Sequence, residues 1–214
     1  MKSQNPSMAT RFLHLGMVTT VTFQLLISLV MAEPDHKGGA LGKMAFEAHE
    51  IVGLTALAIV LLHWVWLMIM QTSQMGGGIS HLFPWFGRAR HQVVIDISAL
   101  LKGKLPDGAH RGGLAGLVHG LGLLVVTGIA ITGGLLFVLF PESGEPGFLA
   151  EGFAEIHEGI ALLVWMYWIG HGGVAILHHV CGHQNLINMF IFKREKKQAN
   201  NRVGVKLHNT NIFQ

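Results

Sequence analysis

The sequence predicts an all-α integral membrane protein, a four-helix bundle with a short amphipathic helix on the membrane surface. Of its 214 residues 50% are hydrophobic and only 13% are charged, and the mean hydropathy is +0.46. This composition is too apolar for one soluble domain. Four apolar stretches each reach the roughly 20 residues that a spanning helix needs. Histidine is the other outlier, with 14 residues against one Cys, and eight of the histidines fall inside these stretches.

The four predicted spans cover about residues 12–32, 47–70, 113–140 and 153–180. The first ends in Val30-Met31-Ala32, which resembles a signal-peptide cleavage site. It is longer than the roughly 7–15 apolar residues of a signal peptide, so a retained span is favoured. In the second span, Trp64 and Trp66 suit the aromatic belt at a membrane interface.

The longest predicted connection, residues 71–112, contains a short amphipathic helix over 88–101. A helix that lies on a membrane presents one apolar and one polar face. Here Arg90 and Asp96 are predicted to lie opposite an apolar face made of Val93, Val94, Ile97, Leu100 and Leu101. Residues 1–190 are therefore predicted to form one membrane domain, followed by a basic tail over 191–214.

The basic residues predict the orientation in the membrane. All 15 Lys and Arg except Lys37 and Lys43 fall in the N-terminal segment, the 71–112 connection or the tail. By the positive-inside rule these three segments, and hence both termini, are cytoplasmic. The calculated pI of about 9.2 thus reflects membrane flanks, and no nucleic-acid partner is expected.

Histidines recur at a fixed interval in two of the predicted spans. His157 and His171 are fourteen residues apart in the fourth span, as are His49 and His63 in the second. Fourteen helical residues turn within roughly 40° of a whole number of turns and rise about 21 Å, so both imidazoles of a span face one way. Ionisable groups at such depths are costly and usually mark a functional site.

The depths of these histidines predict which ones meet. His49 and His157 are the histidines near the outer face, and we call them the outer pair. His171 lies near the inner face, where its partner is contested among His14, His63 and His119. Gly53 lies one turn from His49, and Gly170, Gly172 and Gly173 flank His171, so a flat macrocycle could approach the backbone there.

Two stacked haems suit this arrangement best. Cys181 is the one cysteine and there is no CxxC motif, which argues against Fe–S clusters, cysteine-based zinc sites and covalently attached haem. A mononuclear metal site needs several ligands at one point, which pairs about 21 Å apart along a helix cannot supply. A histidine proton relay and simple packing histidines are the remaining alternatives.

At these residues the chain resembles the bacterial di-haem cytochrome b561 family, which is similar to the cytochrome b subunits of nickel-iron hydrogenases and formate dehydrogenases. The resemblance covers about residues 10–190. Its motifs are Arg11-Phe12-Leu13-His14, in which Leu15 replaces the family's Trp, His49-x-x-x-Gly53, His119, Thr127-Gly128, and His157 with His171 and His178-His179.

The resemblance implies four helices that hold two b haems, each bound by two imidazoles. It assigns the outer haem to His49 and His157 and the inner haem to His14 and His171, which we call the inner pair. His63 stands where the family usually has Arg, so it is either an alternative inner ligand or a contact to a haem propionate. His119, His178 and His179 are candidate contacts to quinone or to a propionate.

Two axial histidines on each iron leave no open position for oxygen or substrate, so the predicted function is electron transfer. We expect a subunit of a larger oxidoreductase in the bacterial inner membrane, passing electrons between an extracytoplasmic partner and quinone. That partner would be a c-type cytochrome or a metalloenzyme subunit, and membrane lipid surrounds the bundle. A self-sufficient superoxide:ubiquinone oxidoreductase of the b561 type is the alternative, and a haem-free structural anchor is a third possibility.

Overall fold

The computed structural model describes residues 7–31, 39–72, 79–84, 87–104, 113–140 and 147–182. All regular structure in these ranges is helical. Its six helices are α1 (Met8–Ile27), α2 (Ala40–Thr72), α3 (Ile79–Leu82), α4 (Gly87–Leu101), α5 (Gly113–Leu139) and α6 (Phe148–Val180). The predicted basic tail beyond residue 190 lies outside the described residues.

Three of these helices are long and apolar enough to cross a membrane. They are α2, α5 and α6, with mean hydropathies of 2.2, 2.3 and 1.7 over their most apolar windows. The predicted second and fourth spans lie inside α2 and α6, and the predicted third span coincides with α5 to within one residue. α1 begins and ends earlier than the predicted first span, because the Ser7 side chain accepts a hydrogen bond from the Thr10 backbone N–H (3.1 Å) and turns follow Ile27.

The four longest apolar segments contact one another in sequence. α1 packs against α2, α2 against α5, and α5 against α6. Three indole-to-hydroxyl hydrogen bonds tie the helices together, a device suited to an apolar environment. They run from Trp66 to Thr10 (3.0 Å), from Trp64 to Thr127 (2.9 Å), and from Trp168 to Thr22 (2.9 Å). The last of these bonds links α6 to α1, so the last long helix also contacts the first.

The short helix α3 lies against the small residues of α5. A Cβ atom at Gly116 would meet the His81 carbonyl oxygen, and one at Gly120 would meet the Leu82 carbonyl oxygen. The ring of Phe83 stacks on Trp64 with centroids 6.4 Å apart. These glycines therefore serve close backbone packing, and their partner is the connecting segment rather than another spanning helix.

α4 forms where the amphipathic helix is predicted, but its faces differ from the expectation. Asp96 points towards α5 and accepts a hydrogen bond from the Leu114 backbone N–H (2.9 Å). A carboxylate at a helix N-terminus satisfies a free N–H and complements the helix dipole. Gly113, with φ of +51°, leaves the space that Asp96 occupies. Val93 is buried, while Val94 and Leu101 are 55% and 85% exposed, so part of the apolar face is left for the membrane surface.

Candidate functional site

The outer pair comes together between α2 and α6. The ring centroids of His49 and His157 are 6.3 Å apart, with 81° between the ring planes. Both side chains are half-buried. The two histidines that sequence depth alone pairs at this level therefore face each other across the bundle.

The inner pair comes together between α1 and α6. The ring centroids of His14 and His171 are 6.5 Å apart, with 64° between the ring planes. α6 thus contributes one histidine to each pair, and the second histidine comes from a different helix at each level. α6 packs closely against α5, whereas at these two levels it meets α1 and α2 through histidine side chains.

Both separations fit a metal ion held between two imidazoles. A histidine nitrogen lies about 2 Å from its metal, so two imidazoles on opposite sides of one ion have ring centres roughly 6 Å apart. Both observed separations are close to this value. Among the described residues there is no group of three or more His, Cys, Asp or Glu that could hold a metal ion. Each level thus brings two imidazoles together, which is the number of protein ligands that a bis-histidine haem needs.

Thr132 of α5 orients His157. Its hydroxyl lies 2.9 Å from His157 Nδ1 and also within reach of the carbonyl oxygens of Gly128 (3.0 Å) and Ile129 (3.1 Å). When the hydroxyl donates to a carbonyl, it accepts from Nδ1–H, and the lone pair of His157 is then on Nε2. At the next position, a Cβ on Gly133 would lie 3.1 Å from His157 Cε1. The sequence analysis missed Thr132, although a polar residue directly before Gly133 in an apolar helix is a signal for it.

The ring of His171 contacts two other rings, Tyr167 of the same helix and His119 of α5. Tyr167 stacks on it with centroids 5.2 Å apart and planes 10° from parallel. Gly122 of α5 makes this possible, because a Cβ atom there would overlap the Tyr167 ring. Tyr167 was also missed from the sequence, because its aromatic ring is typical of ordinary core packing.

His119 approaches His171 from α5, with centroids 5.0 Å apart. That separation is too short for the two rings to lie on opposite sides of one metal ion. His119 Nδ1 lies 2.6 Å from the Ala115 carbonyl oxygen, so its proton is donated there and Nε2 is left as an acceptor. At a centroid separation of 6.5 Å from His171, His14 meets the condition for binding across one metal ion and His119 does not.

The remaining predicted residues surround the inner level. His63 is buried, 8% exposed, and lies within electrostatic range of His14. His178 and His179 lie in the last turn of α6, the first half-buried and the second exposed. Gly170, Gly172 and Gly173 border open space, with no atom within 4 Å of an added Cβ. The inner level thus gathers several histidines around His171, with no close packing at the glycines that flank it in sequence.

Comparison with known proteins gives one family. The model of the family described as prokaryotic cytochrome b561 matches residues 7–192, a range that includes both histidine pairs and all six helices. No significant match was found among curated proteins or among solved structures.

Proposed function

The chain belongs to the prokaryotic cytochrome b561 family, and on that premise we propose that it carries two b haems and conducts electrons across the bacterial inner membrane. Membership of this family makes it a membrane b-type cytochrome. The observation that carries the proposal of two haems is the pair of ring separations, 6.3 Å and 6.5 Å, at two levels of α6.

The ligand sets restrict the chemistry. Haem supplies one-electron transfer at iron, and its potential is tuned by axial ligation, burial and hydrogen bonds. His49 and His157 would hold one haem and His14 and His171 the other, which would leave neither iron open to a substrate. The residues of this chain bind and orient the two groups and keep them at a fixed separation along α6.

We propose that α1 is a fourth spanning helix, although its polar residues make it less apolar than the three spans α2, α5 and α6. Its 20 residues rise about 30 Å, which matches the hydrocarbon layer. Thr10, Thr22 and Gln24 hydrogen-bond to other helices, and Arg11 is 8% exposed. Phe12 and Leu26 are more than half exposed. Polar groups that face inwards and apolar groups that face outwards are typical of a spanning helix.

The extracytoplasmic partner is proposed to carry a basic face. Acidic side chains flank the outer pair at the start of α2 and of α6, and they are Glu47, Glu50, Glu151, Glu155 and Glu158. Complementary charge accelerates the encounter of redox proteins and is screened by salt. Electron transfer from a basic c-type cytochrome or metalloenzyme subunit should therefore slow as ionic strength rises. A rate that does not depend on salt would refute docking by charge.

Quinone is proposed to react at the inner level, where protons must be exchanged as well as electrons. His119 contacts His171 and keeps an acceptor nitrogen, while His178 and His179 lie at the end of α6. Replacement of His119 or His179 by Ala should slow quinone reduction while both haems are retained. Unchanged quinone reduction in both variants would remove this assignment.

The experiment that tests the haem assignment is a pyridine haemochrome assay on purified protein. We expect two b haems per chain, one in His49→Ala or His157→Ala, and one in His14→Ala or His171→Ala. His91, an exposed histidine of α4, gives the matched control, since His91→Ala should retain both. Loss of the inner haem in His63→Ala instead of His14→Ala would overturn the inner pair, and absence of haem would overturn the whole proposal.

The purified chain also distinguishes the subunit from the self-sufficient enzyme. A subunit should reduce ubiquinone only when its protein partner supplies electrons. Oxidation of superoxide with reduction of ubiquinone by the purified chain alone would favour the second function.

A further inference from the structure

Gln24 reaches from α1 to the backbone of the outer pair. Its side-chain Nε2 donates a hydrogen bond to the backbone carbonyl of His49 (2.8 Å). A carbonyl oxygen only accepts hydrogen bonds, so the amide nitrogen must be the atom that faces it. This fixes the amide orientation and turns Oε1 of Gln24 away from the carbonyl.

Two buried polar atoms are left over in this contact. Among the described residues, Gln24 Oε1 and His49 Nδ1 have no hydrogen-bond partner. Buried polar groups are rarely left unpaired, because desolvation is then uncompensated. The two atoms are complementary, since Oε1 is an acceptor and Nδ1 carries the proton whenever Nε2 binds a metal. They also belong to residues that are already joined by one hydrogen bond.

Gly53 provides the space for this contact. A Cβ atom at Gly53 would lie 2.7 Å from Gln24 Nε2, closer than a side chain tolerates. The sequence analysis assigned Gly53 to the approach of a flat porphyrin. In the structure its neighbour is the amide of Gln24, so the glycine one turn after His49 keeps Gln24 against α2.

We infer that Gln24 is a positioning residue for the outer haem: its Oε1, which is not bonded to His49 Nδ1 in the structure, accepts a hydrogen bond from Nδ1–H when Nε2 of His49 binds the iron. This bond would hold His49 in the tautomer whose Nε2 is free for the metal, the role given to Thr132 at His157. The two outer ligands would then each be oriented by a polar side chain, His49 by Gln24 of α1 and His157 by Thr132 of α5. The inference rests on the proposed haem function and adds to it a residue and a direction of effect.

The direction follows from ligand basicity. An acceptor on the distal N–H makes an imidazole a stronger donor to its metal, which stabilises ferric iron and lowers the reduction potential. Loss of the acceptor in Gln24→Leu should therefore raise the midpoint potential of the outer haem and leave that of the inner haem unchanged.

The experiment is a potentiometric titration of both haems in the purified protein, preceded by a haem count. Gly53→Ala keeps Gln24 but displaces it, and should shift the outer potential in the same direction as Gln24→Leu. Gly134→Ala is the matched control, because its Cβ would lie 2.9 Å from Leu57 Cδ2 and away from Gln24. It should leave both potentials unchanged.

Each outcome of the titration either supports or overturns the role of Gln24. A higher outer potential in both Gln24→Leu and Gly53→Ala, with the inner potential unchanged, supports the inference, as does selective loss of the outer haem in these two variants. Two retained haems with unchanged potentials overturn it, and so do equal shifts of both haems or a matching shift in Gly134→Ala, which would indicate general packing. A wild-type protein without haem fails at the haem count and overturns the proposed function itself, so the two failures are distinguishable.

Discussion

The bond between Thr132 and His157 gives the sharpest quantitative prediction. In Thr132→Val the side chain keeps nearly the same shape but loses the hydroxyl that lies 2.9 Å from Nδ1. A hydrogen bond of this kind contributes about 0.5–1.5 kcal/mol net. If all of that favours the ferric state, the outer haem's potential rises by about 20–65 mV for a one-electron couple. The upper end is a limit, because part of the bond energy is common to both oxidation states.

The assay is a redox titration followed at the haem α band, fitted with one midpoint for each haem. Thr127→Val is the matched control, because Thr127 lies on the same helix and is also bonded to a carbonyl (2.6 Å) and to one side chain, that of Trp64 (2.9 Å). Both variants should lose similar stability, but only Thr132→Val should shift a potential. Equal shifts in the two variants, or none in Thr132→Val, would refute the role of Thr132 in orienting His157.

Three further predictions concern the packing around the site. Gly122→Val should displace Tyr167 and perturb the inner haem's spectrum while the outer haem is unaffected; an unchanged inner spectrum would contradict the stacking role of Tyr167. Asp96→Ala should cost about 0.5–2 kcal/mol by loss of the cap, seen as a lower Tm that Asp96→Asn partly restores; a Tm equal to wild type would contradict the cap. Trp168→Phe should remove the 2.9 Å bond to Thr22 and cost about 0.5–1.5 kcal/mol; equal stability of Trp168→Phe and wild type would show that this link between α6 and α1 is dispensable.

The helices and the levels of the histidines could be predicted from the sequence, because both depend on local order. Hydropathy and length give α2, α5 and α6, and an interval of fourteen residues gives the depth and common face of His157 and His171. Neither quantity depends on how one helix is rotated against the next. That is why the outer pair could be identified from depth alone.

The neighbours of each histidine could not be predicted, because they depend on that rotation and on which helices touch. Three histidines lay at the right depth for His171, and depth alone could not separate His14 from His119. Gly53 was assigned to a porphyrin because nothing in a one-dimensional pattern places Gln24 beside it. Asp96 was assigned to the polar face of a surface helix, because its partner, the backbone N–H of Leu114, lies eighteen residues further along the chain.

In the proposed arrangement α6 would supply one ligand to each iron, so the spacing between the two redox centres would depend on a single continuous backbone. Fourteen residues of helix hold the two attachment points about 21 Å apart along its axis. Because electron tunnelling slows steeply with distance, bending or stretching of α6 would then change the rate between the two centres.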